Sequence, residues 1–309
     1  MPTKPTKSKQ AAADAERLRV RKTYKLYIGG AFPRSESGRS YPVRASSGEL
    51  LAHAAQASRK DLRDAVLAAR KAFAGWSSAT AYNRGQVLYR VAEMLDGRRE
   101  QFATQVAEAE MSAAEVAATE GGSSAAALAQ VDAAIDRWVY YAGWTDKYAQ
   151  VVGGTNPVAG PYFSFSLPEP TGVVGVVAPQ DSSLLGLVSV LAPVVAMGNT
   201  AVVIAAEARP LPASSFAEVL ATSDLPGGVV NLLTGFTAEL APWLAGHRDV
   251  NALDLTGVAL AERKALQIKA ADNVKRVFAP GPMDWSSDPG TSRLGAFMET
   301  KTVWHPIGL

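Results

Sequence analysis

Thiols, imidazoles and carboxylates build most catalytic sites, and in this chain of 309 residues they are missing or scattered. Cysteine is absent, which excludes disulfides, thiolate metal sites and every mechanism that needs a cysteine nucleophile. The three histidines, His53, His247 and His305, lie far apart with no metal-ligand spacing around them, and they read as surface or capping residues. Asp249 and Asp254 bracket a strand-like run, a place where carboxylates usually cap or face solvent. There is no Walker lysine loop and no His-Glu-x-x-His. Trp138, Tyr140, Tyr141 and Trp144 offer the rings of a ligand cage, but at this density on one helix they read as packing.

The elements that would position any site centre on residues 169–257. There, short apolar runs at 173–178, 201–205, 229–233 and 252–255 alternate with helix-length segments. Unbroken apolar strands are buried on both faces, and helical crossovers between them give a doubly wound, parallel, Rossmann-like α/β sheet. Gly198-Asn199 and Pro226-Gly227-Gly228 supply the stops between helix and strand.

Before this unit, Tyr24–Ile28 alternates and ends in a glycine pair, with Tyr41–Val43 as the expected return strand. Ser58-Arg59-Lys60-Asp61 has capping-box spacing and opens a helix; further helices are expected at 83–95, 99–109 and 125–147, the last after a break at 121–124. Residues 148–152 and 162–167 read as two strands of a hairpin, with one more strand-like segment at 294–305. The domain reading is thus a disordered basic arm at 1–22, a dinucleotide-binding-type α/β domain at 23–147 and 168–279, a linker at 280–293, and a hairpin with closing strand at 148–167 and 294–309.

Net charge is +2 with both signs mixed along the chain, so no field favours nucleic acid or a membrane surface. No apolar run reaches membrane-span length and residues 1–9 lack the apolar core of a secretory signal, which makes the cytoplasm the expected compartment.

Several motifs, agreeing in order and spacing, give this chain a resemblance to the aldehyde dehydrogenase superfamily. They are Tyr27-Ile28-Gly29-Gly30, Glu169-Pro170-Thr171-Gly172, Gly198-Asn199-Thr200, Leu225-Pro226-Gly227-Gly228, Thr234-Gly235 and Thr256-Gly257, with Glu299-Thr300-Lys301-Thr302-Val303 resembling the family's closing strand. The resemblance implies a fold class in which the dinucleotide-type domain, its N-terminal helices and a small projecting sheet remain while the catalytic domain is absent. It also implies changed site residues. The family's oxyanion-donating asparagine corresponds to Asp181, which cannot donate. The ribose-holding lysine corresponds to Ile204, and Glu207 keeps the glutamate of that motif. Thr256 and Gly257 keep the phosphate-side turn, whereas Val258 and Glu262 replace its serine and following glycine.

Hydride transfer in this family runs through a thiohemiacetal on cysteine, a route closed to a chain without one. The resemblance therefore implies a non-catalytic structural or regulatory subunit, similar to the degenerate second domain of two-domain members. Its partner would be a full-length catalytic homologue, or a second copy, engaged through Tyr148–Leu167 and Leu294–His305. No cofactor is expected, with NAD binding weak at most through Glu207, Thr256 and Gly257; no metal is expected. Two other readings remain open: an NAD(P)-dependent oxidoreductase with a replaced nucleophile, and a dinucleotide-binding sensor.

Overall fold

A computed structural model describes residues 21–111 and 124–308. The expected arm, apart from residues 21 and 22, lies outside the described residues, as does most of the 121–124 break. The chain opens with β1 (Thr23–Tyr24), β2 (Ser40–Arg44) and β3 (Leu50–Ala55), followed by four helices: α1 (Arg59–Ser78), α2 (Ala81–Asp96), α3 (Arg99–Glu110) and α4 (Ala125–Trp144). A short helix α5 (Tyr148–Val152) precedes β4 (Gly154–Asn156) and β5 (Tyr162–Pro170). The alternating unit then runs β6 (Val173–Val177), α6 (Leu185–Ala196), β7 (Thr200–Ile204), α7 (Leu211–Ala221), β8 (Val230–Leu233), α8 (Thr237–Gly246), β9 (Ala252–Asp254), α9 (Leu260–Ala271) and β10 (Arg276–Phe278). Last come α10 (Ser292–Ala296) and β11 (Met298–Pro306).

The central sheet has the order β10-β9-β6-β7-β8, every pair parallel. All residues of β6, β7, β8 and β9 are buried, which is why those runs carry no polar alternation. Their side chains divide by parity between two cores. Val173, Val177, Val202 and Ile204 meet Leu62, Val66, Leu240 and Leu244 of α1 and α8. Val174, Val176, Ala201 and Val203 meet α6 and α7, over which α2, α3 and α4 form an outer layer. Helix α6 is buried on every side, so it is apolar all round rather than amphipathic. Ser58 starts α1 with a capping box, its hydroxyl accepting from Asp61 N while the Asp61 carboxylate accepts from Ser58 N.

Outside this body, β5 lies between β4 and β11 in a three-stranded antiparallel sheet. Nine residue pairs, Met298↔Pro170 through Pro306↔Tyr162, join β5 to β11. Residues 148–152 correct the strand expected there: Gly153 N bonds Ala149 O at 2.9 Å and closes a helical turn, leaving β4 to pair with β5. The return strand of the N-terminal ribbon is also reassigned. β2 pairs antiparallel with β3, which pairs parallel with β1, because the alanine-rich β3 inserts between them. Among the described residues no helix is long and apolar enough to cross a membrane.

Gly228 turns the chain from α7 into β8 with φ +93°, where an added Cβ would lie 2.7 Å from Ala68 O of α1. Both the backbone region and the fixed carbonyl oppose a side chain. Gly228→Ala is expected to lose about 1–3 kcal/mol, read from the urea unfolding midpoint; an unchanged midpoint would show that α1 gives way.

Candidate functional site

In an open parallel sheet, the loops leaving the carboxyl ends of the strands form the crevice in which ligands bind. Here four such loops converge. After β6, Gln180 Nε2 donates to Ala178 O at 2.7 Å and its Oε1 accepts from Glu207 N at 2.9 Å, which fastens the β6 loop to the β7 loop. Arg209 donates to Asp181 O at 3.1 Å and tightens the same junction. Glu207 also bridges to the next loop, because its Oε2 accepts from Thr237 N at 3.1 Å in the first turn of α8. Among the described residues no donor reaches its Oε1.

Gly257 sits against the end of β6. Its N–H donates to Val177 O at 3.0 Å, and a Cβ at this position would fall 1.9 Å from Ala178 O, so only glycine fits. Thr256 is held by its neighbour: Asp254 Oδ1 accepts from Thr256 N at 2.9 Å and from the Thr256 hydroxyl. The four positions singled out from the sequence, Asp181, Glu207, Thr256 and Gly257, thus do lie on neighbouring loops of one sheet edge.

What the sequence did not reveal is that residues 278–293 fold back over this edge. Trp285 Nε1 donates to Asp181 Oδ1 at 3.2 Å, so the aspartate acts as an acceptor. Arg293 forms an ion pair with Asp254 at 2.7 Å, with both side chains 3% exposed or less. It also reaches the Thr256 hydroxyl at 3.0 Å and Met283 Sδ at 2.9 Å, and lies 4.9 Å from the Phe278 ring. Arg263 donates to Thr256 O at 3.1 Å, Val258 O at 2.9 Å and Pro280 O.

Arg137 of α4 completes the clamp, donating to the Ser189 hydroxyl, Trp285 O and, at 2.7 Å, Ser287 O. Burial lowers its pKa from the usual guanidinium value. Burial likewise pushes the adjacent Tyr141 phenol up to about 12, against the opposing pull of Arg293 and Arg137. Hydrogen bonds from Ser286 hold the Asp284 carboxyl below its ordinary range. Among the described residues, Tyr141 Oη, Trp138 Nε1 and Arg293 Nε have no partner. Arg137 had one sequence signal: it is three residues from Ala134 and four from Tyr141, on the buried stripe of α4. Arg293 and Trp285 had none.

The edge therefore offers carboxylates, an amide and guanidinium groups and no thiol; the one hydroxyl named there that meets a carboxylate, Thr256 on Asp254, is also held by Arg293, which neutralises that carboxylate. Among the described residues no group of three or more His, Asp or Glu side chains is placed to hold a metal ion.

A doubly wound parallel sheet with its ligand crevice at the carboxyl ends defines a dinucleotide-binding type of α/β domain. Comparison with known proteins narrows the class. Residues 33–280 match the Aldehyde dehydrogenase family. Aldehyde dehydrogenase, cytosolic 1 from Elephantulus edwardii is 32% identical over 257 residues, 82% of this chain and 49% of that protein. Among solved structures, HpcC from Thermus thermophilus is 30% identical with a TM-score of 0.75, over 83% of this chain and 47% of the other. The NAD+ complex of aldehyde dehydrogenase from Bacillus cereus is 26% identical with a TM-score of 0.74, over 89% and 52%. This chain belongs to the aldehyde dehydrogenase family, lacks the family's cysteine, and spans about half the length of these relatives.

Two expectations are corrected by these likenesses. The fold class is not defined by an absent catalytic domain: the α/β body with its parallel sheet closely matches the fold of catalytic aldehyde dehydrogenases. The expectation of no cofactor is also overturned. The parallel sheet is of the NAD-binding kind, and relatives of the same fold have been solved with NAD+.

Breaking the clamp has a calculable cost. Arg293→Met leaves the Asp254 carboxylate fully buried without its cation, a change that costs about 3–5 kcal/mol. Chemical denaturation is expected to show a loss of that size. A loss under about 1 kcal/mol would mean that the pair is hydrated and open in solution.

Proposed function

We propose that the chain is a non-catalytic aldehyde dehydrogenase-like subunit, structural or regulatory, that associates with a full-length catalytic homologue. The observation that carries this reading is the two-faced projecting sheet. On one face Asn156 donates to the Ser164 and Ser166 hydroxyls at 3.1 and 2.9 Å, and Ser166 meets Thr302 at 2.8 Å. The opposite face presents Phe163, Phe165, Leu167 and Val303, with Phe163 and Leu167 each more than 40% exposed. β11 is an edge strand nine residues long, and its far side is unpaired among the described residues. An open edge beside an exposed apolar face suits strand addition to a partner's sheet. Without cysteine, the chain has no thiol chemistry of its own to contribute.

Co-expression with a full-length homologue followed by size-exclusion chromatography is expected to give a mixed complex. Phe163→Asp with Phe165→Asp should abolish it while the α/β body stays folded. Two separate peaks for the unmodified chains, or aldehyde oxidation by this chain alone, would overturn the proposal.

We also infer that the sheet edge can hold NAD. The supporting observation is Glu207, whose free Oε1 suits a ribose hydroxyl next to the start of α8, where backbone N–H groups favour an anion. NAD, when bound, supplies a hydride acceptor; the protein's part is to bind and orient it. Glu207→Gln is expected to weaken NAD binding by about 1.5–3 kcal/mol, the worth of a charge-assisted hydrogen bond, as read by calorimetry. Equal affinity in the two proteins would place the ribose elsewhere.

A further inference from the structure

A cavity of about 670 Å³ opens between the first turns of α1 and the second half of α8. None of Asp181, Glu207, Thr256 or Gly257 lines it, so it is separate from the sheet edge. Its wall carries five cationic side chains, Arg59, Lys60, Arg63, Arg248 and Lys269, against a single carboxylate, Glu36. That concentration stands out in a chain whose whole net charge is +2.

The pairing within the wall is incomplete. Glu36 takes Lys60 at 3.4 Å, and Arg63 turns to Asp64 at 2.7 Å. Among the described residues Arg59, Arg248 and Lys269 have no carboxylate partner. Lys269 stands in the last turn of α9, where a cation is favoured, but the helix does not explain the charges that open α1. The first turn of a helix favours acidic residues, yet α1 begins with Arg59 and Lys60. The one acid of that first turn, Asp61, is buried and occupied by Ser35, Glu36 N and Ser58 N, so it does not neutralise the cavity.

The cavity also has an aromatic wall. Trp243 is 46% exposed although its helical neighbours Leu240 and Leu244 are buried, and the Arg59 guanidinium lies 3.8 Å from its ring centroid. Exposed indole beside unpaired cations is the combination that recognises an aromatic ring bearing phosphate. The volume falls within the range of small-molecule sites, about 300–1,000 Å³.

We propose that this cavity is a nucleoside phosphate site, with the base against Trp243 and the phosphates between Arg59, Arg248 and Lys269. It does not rest on the reading of the sheet edge, and its failure would leave that reading intact.

Calorimetric titration of the full chain with ADP, pyrophosphate and adenosine tests it. ADP is expected to bind more tightly than pyrophosphate, adenosine alone to bind little, and ADP affinity to fall as salt is raised. Arg248→Glu with Lys269→Glu should weaken ADP roughly tenfold or more, and the neutral pair Arg248→Gln with Lys269→Gln by an intermediate factor. Trp243→Ala should reduce ADP binding towards that of pyrophosphate. No heat from ADP up to millimolar concentration would overturn the site, and pyrophosphate as tight as ADP would overturn the nucleoside assignment. So would ADP binding that survives the charge reversals but is lost in Glu207→Gln, because the nucleotide would then sit at the sheet edge.

Discussion

The buried amide of Asn199 holds the two halves of this architecture together. Its Oδ1 accepts from Gly172 N at 2.9 Å and its Nδ2 donates to Phe297 O at 3.1 Å, with the side chain wholly out of water. The first point is where the chain enters β6 of the central sheet, and the second is where it enters β11 of the projecting sheet. Thr171 N adds a bond to Phe297 O at 3.2 Å. A buried N–H or carbonyl left unpaired costs about 1–3 kcal/mol, so the relation between body and projecting sheet is fixed by pairing these groups. The same device recurs at Asn251, whose Oδ1 accepts from Val173 N at 3.0 Å. At Asn231 the side chain accepts from Gly29 N at 2.8 Å and donates to Gly228 O at 2.8 Å. Backbone groups beside a sheet buried on both faces need partners, and three asparagines supply them.

At the carboxyl edge, arginines satisfy groups that a ligand or solvent would otherwise meet. Arg293 neutralises Asp254, Arg263 takes three carbonyl oxygens, and Arg137 holds the backbone of residues 285 and 287. A planar fork with five donors suits this, since each guanidinium can serve several acceptors at fixed angles. A ligand that contacts the Thr256 hydroxyl must compete with Arg293 and Asp254, and one that contacts the Asp181 carboxylate must compete with Trp285. Approach to Glu207 Oε1 displaces no bond of this kind.

How far the sequence foretold all this depends on the range of the interaction. The parallel strands were legible because burial on both faces leaves an unbroken apolar run, and α1 because Ser58 and Asp61 cap it within three residues. β3 was missed because Leu-Leu-Ala-His-Ala-Ala lacks both alternation and β-branched residues, and its strand character comes from pairing with β1 and β2. Motif spacing located Asp181, Glu207, Thr256 and Gly257, but not what surrounds them. The arginine clamp joins positions 39, 148 and 150 residues apart; Arg137 lies on the buried stripe of α4, but Trp285 and Arg293 stand in a segment that reads from its sequence as a linker. Local patterns report periodicity and caps; they do not report which distant carbonyl a guanidinium will find.

The projecting sheet shows how a single strand reconciles two demands. Along β5, residues 163, 165 and 167 face one way and 162, 164 and 166 the other, and the register with β11 places Val303 beside Phe165 and Thr302 beside Ser166. A shift of one residue would set Phe165 against Thr302 or Trp304 and break the hydroxyl pair of Ser166 and Thr302. The Lys301–Glu169 pair at 2.8 Å is at least half exposed on both sides, so it adds little energy and serves mainly to disfavour slippage. Register is thus held from both faces, by Ser166–Thr302 and the Tyr162–Trp304 ring contact on one and by Lys301–Glu169 on the other, which leaves the phenylalanine face ordered before any partner arrives. Such preorganisation lowers the entropic cost of association, and it follows from these cross-strand pairs rather than from the phenylalanines that would make the contact.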